Sequence, residues 1–136
     1  MPQKDYYHQH VIAALEADGW RITHDPYPLV VGPLEWAIDL GAEKIIAEKG
    51  LQKIAVEVKN FRHSESNELH KTRGQFANYR DSLQYTESGR KLYVAIPKTA
   101  YVKLFSHPAI QELVRNENIS MIIFDENFRT IVEWKD

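Results

Sequence analysis

Hydrophobic and polar residues alternate in a short stretch near the middle of the chain, IAVEVKNF at positions 54–61. Successive side chains of a β-strand point to opposite faces of a sheet. The alternation therefore places the isoleucine and the two valines on one face, and Glu57 and Lys59 on the other. We expect a largely buried strand whose second half carries a carboxylate and an ammonium group on the same face.

Four segments have the spacing of apolar residues that is typical of amphipathic helices. The two longer ones cover positions 5–18 and 66–87, and a glycine follows each of them. Two shorter helical segments are expected at positions 99–105 and 108–116. The chain is therefore expected to begin with a helix and to carry its longest helix after the E-x-K stretch.

Apolar runs rich in β-branched and aromatic residues predict the strands. In chain order they are WRIT, EWAIDL, EKIIAEKG, LQKIAVEVKN, KLYVAIP, ISMIIFD and RTIVEWK, the last as an edge strand. The two prolines of HDPYP, at positions 24–28, are expected to break the first strand. The order reads αβββαβαβ, which predicts a single domain over positions 1–136 with an α/β fold, a mixed β-sheet flanked by helices.

Composition restricts the class of protein. The 136 residues are 43% hydrophobic, enough for a core, and the absence of cysteine excludes disulfides and thiolate metal sites. A formal net charge of −2 excludes a protein that coats nucleic acid through bulk positive charge, although a local basic cleft remains compatible with it. The sequence contains neither a transmembrane run nor an apolar signal-peptide region, so we expect a cytoplasmic protein that does not enter a membrane.

Lone carboxylates interrupt two of the predicted strands, Asp39 in WAIDLG and Glu57 in IAVEVKN. One β-segment is expected between these strands, and we expect the two carboxylates to lie side by side. Adjacent carboxylates repel each other, and a divalent cation such as Mg²⁺ or Mn²⁺ removes that repulsion. The backbone carbonyl of Val58 is a third predicted ligand, and Lys59 would stabilise charge that develops on a phosphate.

A solvated strand face with a weak salt bridge is the competing interpretation of Glu57 and Lys59. Exposed pairs of this kind contribute about 0–1 kcal/mol, and E-x-K recurs at positions 133–135, where it indicates only a solvated chain end. Basic residues after the strand could contact a phosphate backbone, although their acidic neighbours favour a solvated face. These basic residues are Arg62, His63, His70, Lys71, Arg73 and Arg80. His24 and Asp25 precede a proline and indicate a turn, with a role in lining the site as the alternative.

Asp39, Glu57 and Lys59, on this order of elements, resemble the motif of the PD-(D/E)xK nucleases, also called the restriction-endonuclease-like superfamily. GQFANYR adds Gln75 and Tyr79, which resemble the glutamine–tyrosine helix motif of some branches of that superfamily. The resemblance implies that all five residues are catalytic and that the two acidic ones bind a metal ion.

More narrowly, KDYYHQHVIAALEADGW, THDPY, DLGAEKIIA and GQFANYR are similar to the XisH family, small cyanobacterial proteins named as controlling factors for excision of the fdxN element. The resemblance extends over nearly the whole chain. It implies a nuclease-like fold and a role beside a site-specific recombinase, with a small XisI-like partner. Two positions depart from the nuclease pattern, since Ile38 stands in the place of the proline and His8 in the place of a helix glutamate. His8 is therefore an additional candidate metal ligand.

Two functions remain open from the residues together with what the resemblance implies. One is a Mg²⁺- or Mn²⁺-dependent endonuclease that acts on DNA phosphodiesters as an accessory to excision or recombination of a DNA element. The alternative is a catalytically inactive nuclease-fold regulator that binds a partner protein or DNA. We further expect a homodimer, because a nuclease of this size covers little duplex alone and a two-fold pair would present two sites to two strands.

Overall fold

A computed structural model describes residues 5–136, which form a β-sheet with helices on both faces. The helices are α1 (His8–Ala17), α2 (Glu65–Thr86), α3 (Lys98–Ala100), followed by a π-helical turn (Tyr101–Phe105), and α4 (Pro108–Asn116). The strands are β1 (Arg21–His24), β2 (Tyr27–Val31), β3 (Leu34–Ile38), β4 (Leu40–Ile46), β5 (Gly50–Val58), β6 (Arg90–Pro97), β7 (Met121–Asp125) and β8 (Thr130–Lys135). The predicted α/β class is confirmed. In this part of the chain, none of the helices combines the length and the apolar character needed to cross a bilayer.

Six strands form the central sheet in the order β1-β4-β5-β6-β7-β8, and β2 and β3 form a separate hairpin. β5, β6 and β7 are parallel to one another, whereas β4 pairs antiparallel with β5, and β8 antiparallel with β7. Parallel neighbours need a crossover connection, and α2 supplies it between β5 and β6. The sheet is therefore mixed, as predicted, with β5 and β6 at its centre.

Two hydrophobic layers enclose the sheet. On one face, Ala55 of β5 belongs to a buried cluster with Phe76 of α2. On the other face, Val56 belongs to a cluster with Leu15 of α1. Neighbours along β5 thus lie in opposite layers, as the alternation in IAVEVKNF predicts, and Glu57 shares the α2 side with Ala55.

The chain between α1 and α2 differs from the predicted order. It contains five strands, whereas four apolar runs were predicted as strands there and the summarised order αβββαβαβ allows only three. The proline-rich positions 24–28 form more than a turn, because β2 begins at Tyr27 and continues through Pro28. A proline is tolerated there because the two-stranded hairpin leaves one edge of β2 without a strand partner. EWAIDL is not one strand, since β3 ends at Ile38 and β4 begins at Leu40. These two residues enter opposite hydrophobic layers, so the strand is interrupted between them, at Asp39.

Arg90, at the start of β6, is a buried cation that ties several elements together at one end of the sheet. Its side chain is 2% exposed and donates hydrogen bonds to the carbonyl of Ile54 (2.8 Å) and to Oε1 of Glu87 (2.9 Å). The hydroxyl of Tyr27, on the hairpin, donates to the same Glu87 oxygen at 2.6 Å. The hydrogen bonds from Arg90 and Tyr27 lower the pKa of Glu87 to about 2. This network joins the residue that follows α2 to both the sheet and the hairpin.

Replacing Glu87 by glutamine is expected to lower the free energy of unfolding by about 1–2 kcal/mol at pH 7, because Arg90 and Tyr27 lose a charged acceptor. The folded-state pKa of Glu87 lies below its ordinary value of 4.5, so its stabilisation is present above that pH and is lost as the pH falls toward 2. Urea unfolding at neutral pH and near pH 3 measures the difference, with the exposed Glu112→Gln as control. An equal loss at both pH values would contradict the role of the ionised carboxylate.

Candidate functional site

Asp39 lies directly beside Glu57, at the end of a strand pair. β4 begins at Leu40, and the register pairs Leu40 with Val56, so Asp39 falls opposite Glu57. The prediction of an intervening β-segment is wrong, because β4 and β5 are immediate neighbours in the sheet. The structure nevertheless brings the two carboxylates together.

Two hydrogen bonds between side chains and backbone hold this acidic pair. The N–H of Asp39 donates to Glu57 Oε1 at 3.2 Å, and the N–H of Val58 donates to Asp39 Oδ2 at 2.8 Å. Both N–H groups lie just beyond the last residue pair of the β4–β5 ladder, where no strand partner faces them. We call this arrangement of Asp39, Glu57 and the Val58 backbone the carboxylate clamp. It satisfies two backbone donors and orients both carboxylates.

Lys59 lies on the same face as Glu57. Its Nζ is 3.8 Å from Glu57 Oε2, and the two side chains are only 13% and 12% exposed. This distance is that of an ion pair, longer than a hydrogen bond. Because the pair is largely withdrawn from water, it differs from the solvated salt bridge that was the competing interpretation.

The burial of Glu57 and its repulsion by Asp39 disfavour the state in which both carboxyl groups of the clamp are ionised. Burial raises the pKa of Glu57 to about 8, the negative charge of Asp39 adds to the rise, and the ammonium of Lys59 opposes it. One lysine therefore compensates the two carboxylates incompletely. The site favours a further positive charge.

Gln75 and Tyr79 lie one turn apart on α2. Tyr79 is buried, and its ring packs against Trp36 with centroids 5.8 Å apart. Burial, and then the charges of Glu57 and Asp39, raise the pKa of Tyr79 to about 12, so its hydroxyl stays protonated beside the clamp. Gln75 Oε1 is buried and has no hydrogen-bond partner among residues 5–136. A buried acceptor left in that state costs about 1–3 kcal/mol, so this side of α2 is suited to a polar ligand or water.

The Val58 carbonyl completes a set of oxygen donors. The N–H of Lys59 donates to Ala95 on β6, so Val58, one residue earlier, directs both its N–H and its C=O toward β4 and Asp39. Two carboxylates and a carbonyl are the hard donors that suit Mg²⁺ or Mn²⁺, with water in the remaining positions. Within residues 5–136, no group of three or more histidine, aspartate or glutamate side chains could hold a metal ion. A cation at the clamp would therefore depend on backbone and water oxygens as well.

His8 has a partner other than the clamp. Its side chain is 4% exposed, and its Nε2 lies 2.8 Å from Asp25 Oδ1. Its Nδ1 is buried without a hydrogen-bond partner in the described part of the chain. His24 packs against Tyr27 and over Gly41, where an added Cβ would meet His24 Nδ1 at 3.0 Å. The structure thus joins His8 to the turn at Asp25 and assigns His24 to packing.

The basic residues that follow β5 divide into two groups. The exposed members are Arg62, His63, His70 and Lys71. Arg80 instead donates to the backbone carbonyl of Glu117 at 2.7 Å and ties α2 to the end of α4. Arg73 is half-buried, and its Nε lacks a partner among the residues that the structure describes. Only the exposed group is placed to meet a phosphate backbone from solvent.

Asp5 and Asn60 are part of this region although the sequence did not single them out. Asn60 Nδ2 donates to Asp5 Oδ2 at 3.1 Å, and the N–H of Tyr7 donates to Asp5 Oδ1 at 2.9 Å. Burial raises the pKa of Asp5, and the charge of Asp39 raises it further, which shows that a third carboxylate lies near the clamp. The available signal was the position of Asn60 directly after the E-V-K sequence.

A cavity in the described chain lies away from the clamp. It has a volume of about 790 Å³ and is lined by residues of the π-helical turn, α4, β7 and β8. Neither the clamp nor Lys59 contributes to its walls. The carboxylate clamp and this cavity therefore occupy different parts of the fold.

The fold and the site define a mixed α/β protein with a clamped pair of carboxylates and a lysine at the ends of adjacent central strands. The chain belongs to the XisH family, whose family model, described as XisH protein, matches residues 1–132.

Two solved structures are similar to the chain over almost its whole length. An XisH family protein from Nostoc punctiforme PCC 73102 is 39% identical with a TM-score of 0.88, and the match covers 97% of this chain and 100% of that one. An fdxN element excision controlling factor protein from Anabaena variabilis is 37% identical with a TM-score of 0.89, and the match covers 98% and 100%. A search of curated proteins gave no match. The solved relatives therefore share both the fold and the extent of the chain.

Asp39→Ala is expected to lower the free energy of unfolding by about 1–3 kcal/mol, because the buried N–H of Val58 loses its acceptor. Asp39→Asn keeps an oxygen at the same position and is expected to lose less. Chemical denaturation in metal-free buffer measures both variants, and the asparagine variant is the matched control. Equal unfolding midpoints for the two variants would show that the hydrogen bond to Val58 does not constrain the site.

Proposed function

We propose that this protein is a Mg²⁺- or Mn²⁺-dependent endonuclease of the PD-(D/E)xK type that acts on DNA phosphodiesters. The observation that carries the proposal is the carboxylate clamp with Lys59. The half-buried carboxylate of Asp39 and the largely buried side chains of Glu57 and Lys59 converge at the ends of adjacent strands. A structural ion pair has no need of a second carboxylate that repels the first. Cation-assisted attack on a phosphodiester needs both carboxylates, because together they would hold the cation.

Asp39, Glu57 and the Val58 carbonyl are the groups that would hold the cation. Their oxygens match the preference of Mg²⁺ and Mn²⁺, and a bound cation would replace the proton that the raised pKa of Glu57, about 8, leaves on this carboxyl at neutral pH. When bound, the cation supplies a polarised phosphate oxygen and a water molecule of lowered pKa.

The remaining site residues have roles that follow from their surroundings. Lys59 shares the face of Glu57, so its ammonium group would stabilise the charge that develops on the phosphate. Gln75 Oε1 is a buried acceptor without a partner among the described residues, and it would orient the attacking water. Tyr79, with its pKa of about 12, keeps its proton at neutral pH and would donate a hydrogen bond rather than act as a base.

The description of one solved relative supports a proposal for the process in which such a site would act. The solved relative from Anabaena variabilis is described as a controlling factor for excision of the fdxN element. We place this chain in the same kind of process, as an accessory factor that processes DNA during the site-specific excision of an element. The family membership supports this placement.

Mg²⁺ or Mn²⁺ is expected to raise the melting temperature of the wild-type protein but not of Glu57→Ala, because a ligand that binds only the folded state stabilises it by mass action. The gain at a hundredfold excess over Kd is about 2.7 kcal/mol. Glu133→Ala is the matched control, since Glu133 belongs to the second E-x-K and lies 3.5 Å from Lys135. A thermal shift of equal size in Glu57→Ala would rule out the metal site.

Lys59→Ala is expected to reduce metal-dependent nicking by about 100- to 1,000-fold, because a group that stabilises transition-state charge is removed. Cleavage of linear and branched DNA measures the loss, with Lys135→Ala as the control for the charge alone. If the wild-type protein cleaves none of these substrates in the presence of metal, the catalytic proposal fails. The alternative would then hold, a catalytically inactive regulator that binds a partner protein or DNA.

A further inference from the structure

An exposed tyrosine and an exposed arginine form a stacked pair next to the proposed catalytic site. The guanidinium carbon of Arg62 lies 4.2 Å from the ring centroid of Tyr6, and Tyr6 is 65% exposed. We call this pair the Tyr6–Arg62 platform. It presents an aromatic ring and a planar cation to solvent, the two kinds of surface on which nucleobases stack.

Hydrogen bonds connect both sides of the platform. Asn60 donates from Nδ2 to the carboxylate of Asp5 (3.1 Å) and accepts the N–H of Arg62 at its Oδ1 (2.8 Å). Asp5 immediately precedes Tyr6 in the chain, so a single asparagine side chain joins the segment before α1 to the segment after β5. The platform is thus built by the tertiary structure and is not a chance contact of two mobile side chains.

The backbone at Phe61 holds Arg62 in place. Phe61 has a φ of 54°, a left-handed conformation that is unfavourable for a bulky residue. Its side chain is 5% exposed and packs edge-on against Phe105 with centroids 5.0 Å apart. A buried anchor therefore enforces a strained turn between the catalytic lysine and Arg62, as is common near functional sites.

The aromatic ring of Tyr6 is supported from the protein side. Tyr7 meets it edge-on with centroids 4.9 Å apart, and Tyr7 itself packs on Phe124 at 5.7 Å. His10 lies nearly parallel to Tyr6 at 6.3 Å. These contacts restrict the ring while most of its surface stays in solvent, which is the property of a stacking platform.

The platform lies within a few nucleotides of the catalytic groups. Arg62 follows Lys59 by three residues, so their Cα atoms are at most about 11 Å apart. Stacked nucleotides advance about 3.4 Å each along a strand, and this distance therefore spans roughly three of them. Asn60, the residue after Lys59, donates to Asp5, the neighbour of Tyr6, at 3.1 Å, which also places the platform close to the end of β5.

We propose that the Tyr6–Arg62 platform stacks an unpaired nucleobase of the DNA strand whose phosphate lies at Asp39, Glu57 and Lys59. This inference rests on the proposed function and gives it a substrate class, single-stranded or branched DNA in preference to uninterrupted duplex. The faces of the bases are covered by their neighbours inside a duplex and become available to a protein only where the strand is unpaired.

The test is the binding of short fluorescein-labelled DNA, single-stranded and duplex of the same sequence, followed by fluorescence anisotropy in metal-free buffer. Tyr6→Leu and Arg62→Lys are each expected to weaken single-strand binding about tenfold and to leave duplex binding nearly unchanged. Arg62→Lys keeps the charge and removes the planar guanidinium, so a loss in this variant reports stacking and not electrostatic attraction. Tyr6→Phe keeps the ring and is expected to bind like the wild type.

Tyr85→Leu is the matched control, because Tyr85 is 86% exposed on the last turn of α2 and lies outside the platform. The salt dependence of binding is a second readout, since loss of stacking in Tyr6→Leu should leave its slope unchanged. Wild-type affinity of Tyr6→Leu and Arg62→Lys for the single strand would overturn the proposal. So would equal wild-type affinity for single strand and duplex, or tighter binding of RNA of the same sequence.

The outcome is separable from that of the catalytic proposal. Binding in metal-free buffer does not require cleavage, so the platform can be confirmed when no substrate is nicked. Conversely, metal-dependent nicking that Lys59→Ala abolishes would stand even if Tyr6→Leu bound DNA normally.

Discussion

The reciprocal hydrogen bonds between Asp39 and the end of β5 are the constraint on which the site depends. They begin where the β4–β5 ladder stops, and they use side-chain oxygens in place of strand carbonyls. The two carboxylates are therefore oriented by the same backbone donors that would otherwise remain unsatisfied at the strand ends. Because β5 lies in the middle of the sheet, with both faces covered, the clamp has little room to relax.

The buried charged groups at the two ends of the sheet are compensated to different degrees. At one end Arg90 is enclosed by hydrogen-bond acceptors, and the pKa of Glu87 falls to about 2, so the ions are fully compensated. At the other end burial and Asp39 raise the pKa of Glu57 to about 8, and Lys59 offsets this only in part. A compensated network stabilises the fold, whereas a carboxyl group with a strongly raised pKa is a candidate functional group, which supports the proposed metal- and phosphate-binding site.

The segments on either side of the clamp extend the site beyond the three residues of the motif. Asn60 follows Lys59 and binds Asp5, and this contact brings the beginning of the chain next to the end of β5. On the side of α2, the charges of Glu57 and Asp39 contribute to the raised pKa of Tyr79, so this helix also borders the clamp. These neighbouring groups support the proposed binding of a DNA strand, in which backbone contacts would position the strand and base contacts would select its form.

The sequence by itself determined the elements and the faces that they present. The alternation at positions 54–59 depends only on local strand geometry, so it correctly put Glu57 and Lys59 on one face, and helical spacing correctly located α1, α2 and α4. The interruption of the strand at Asp39 was decided by tertiary packing, because Ile38 and Leu40 enter opposite hydrophobic layers. The partner of His8 and the link between Asp5 and Asn60 were likewise decided by the tertiary structure. The contact of His8 spans 17 residues of the sequence, and the contact between Asp5 and Asn60 spans 55. A local sequence pattern does not indicate which distant side chain a residue will contact.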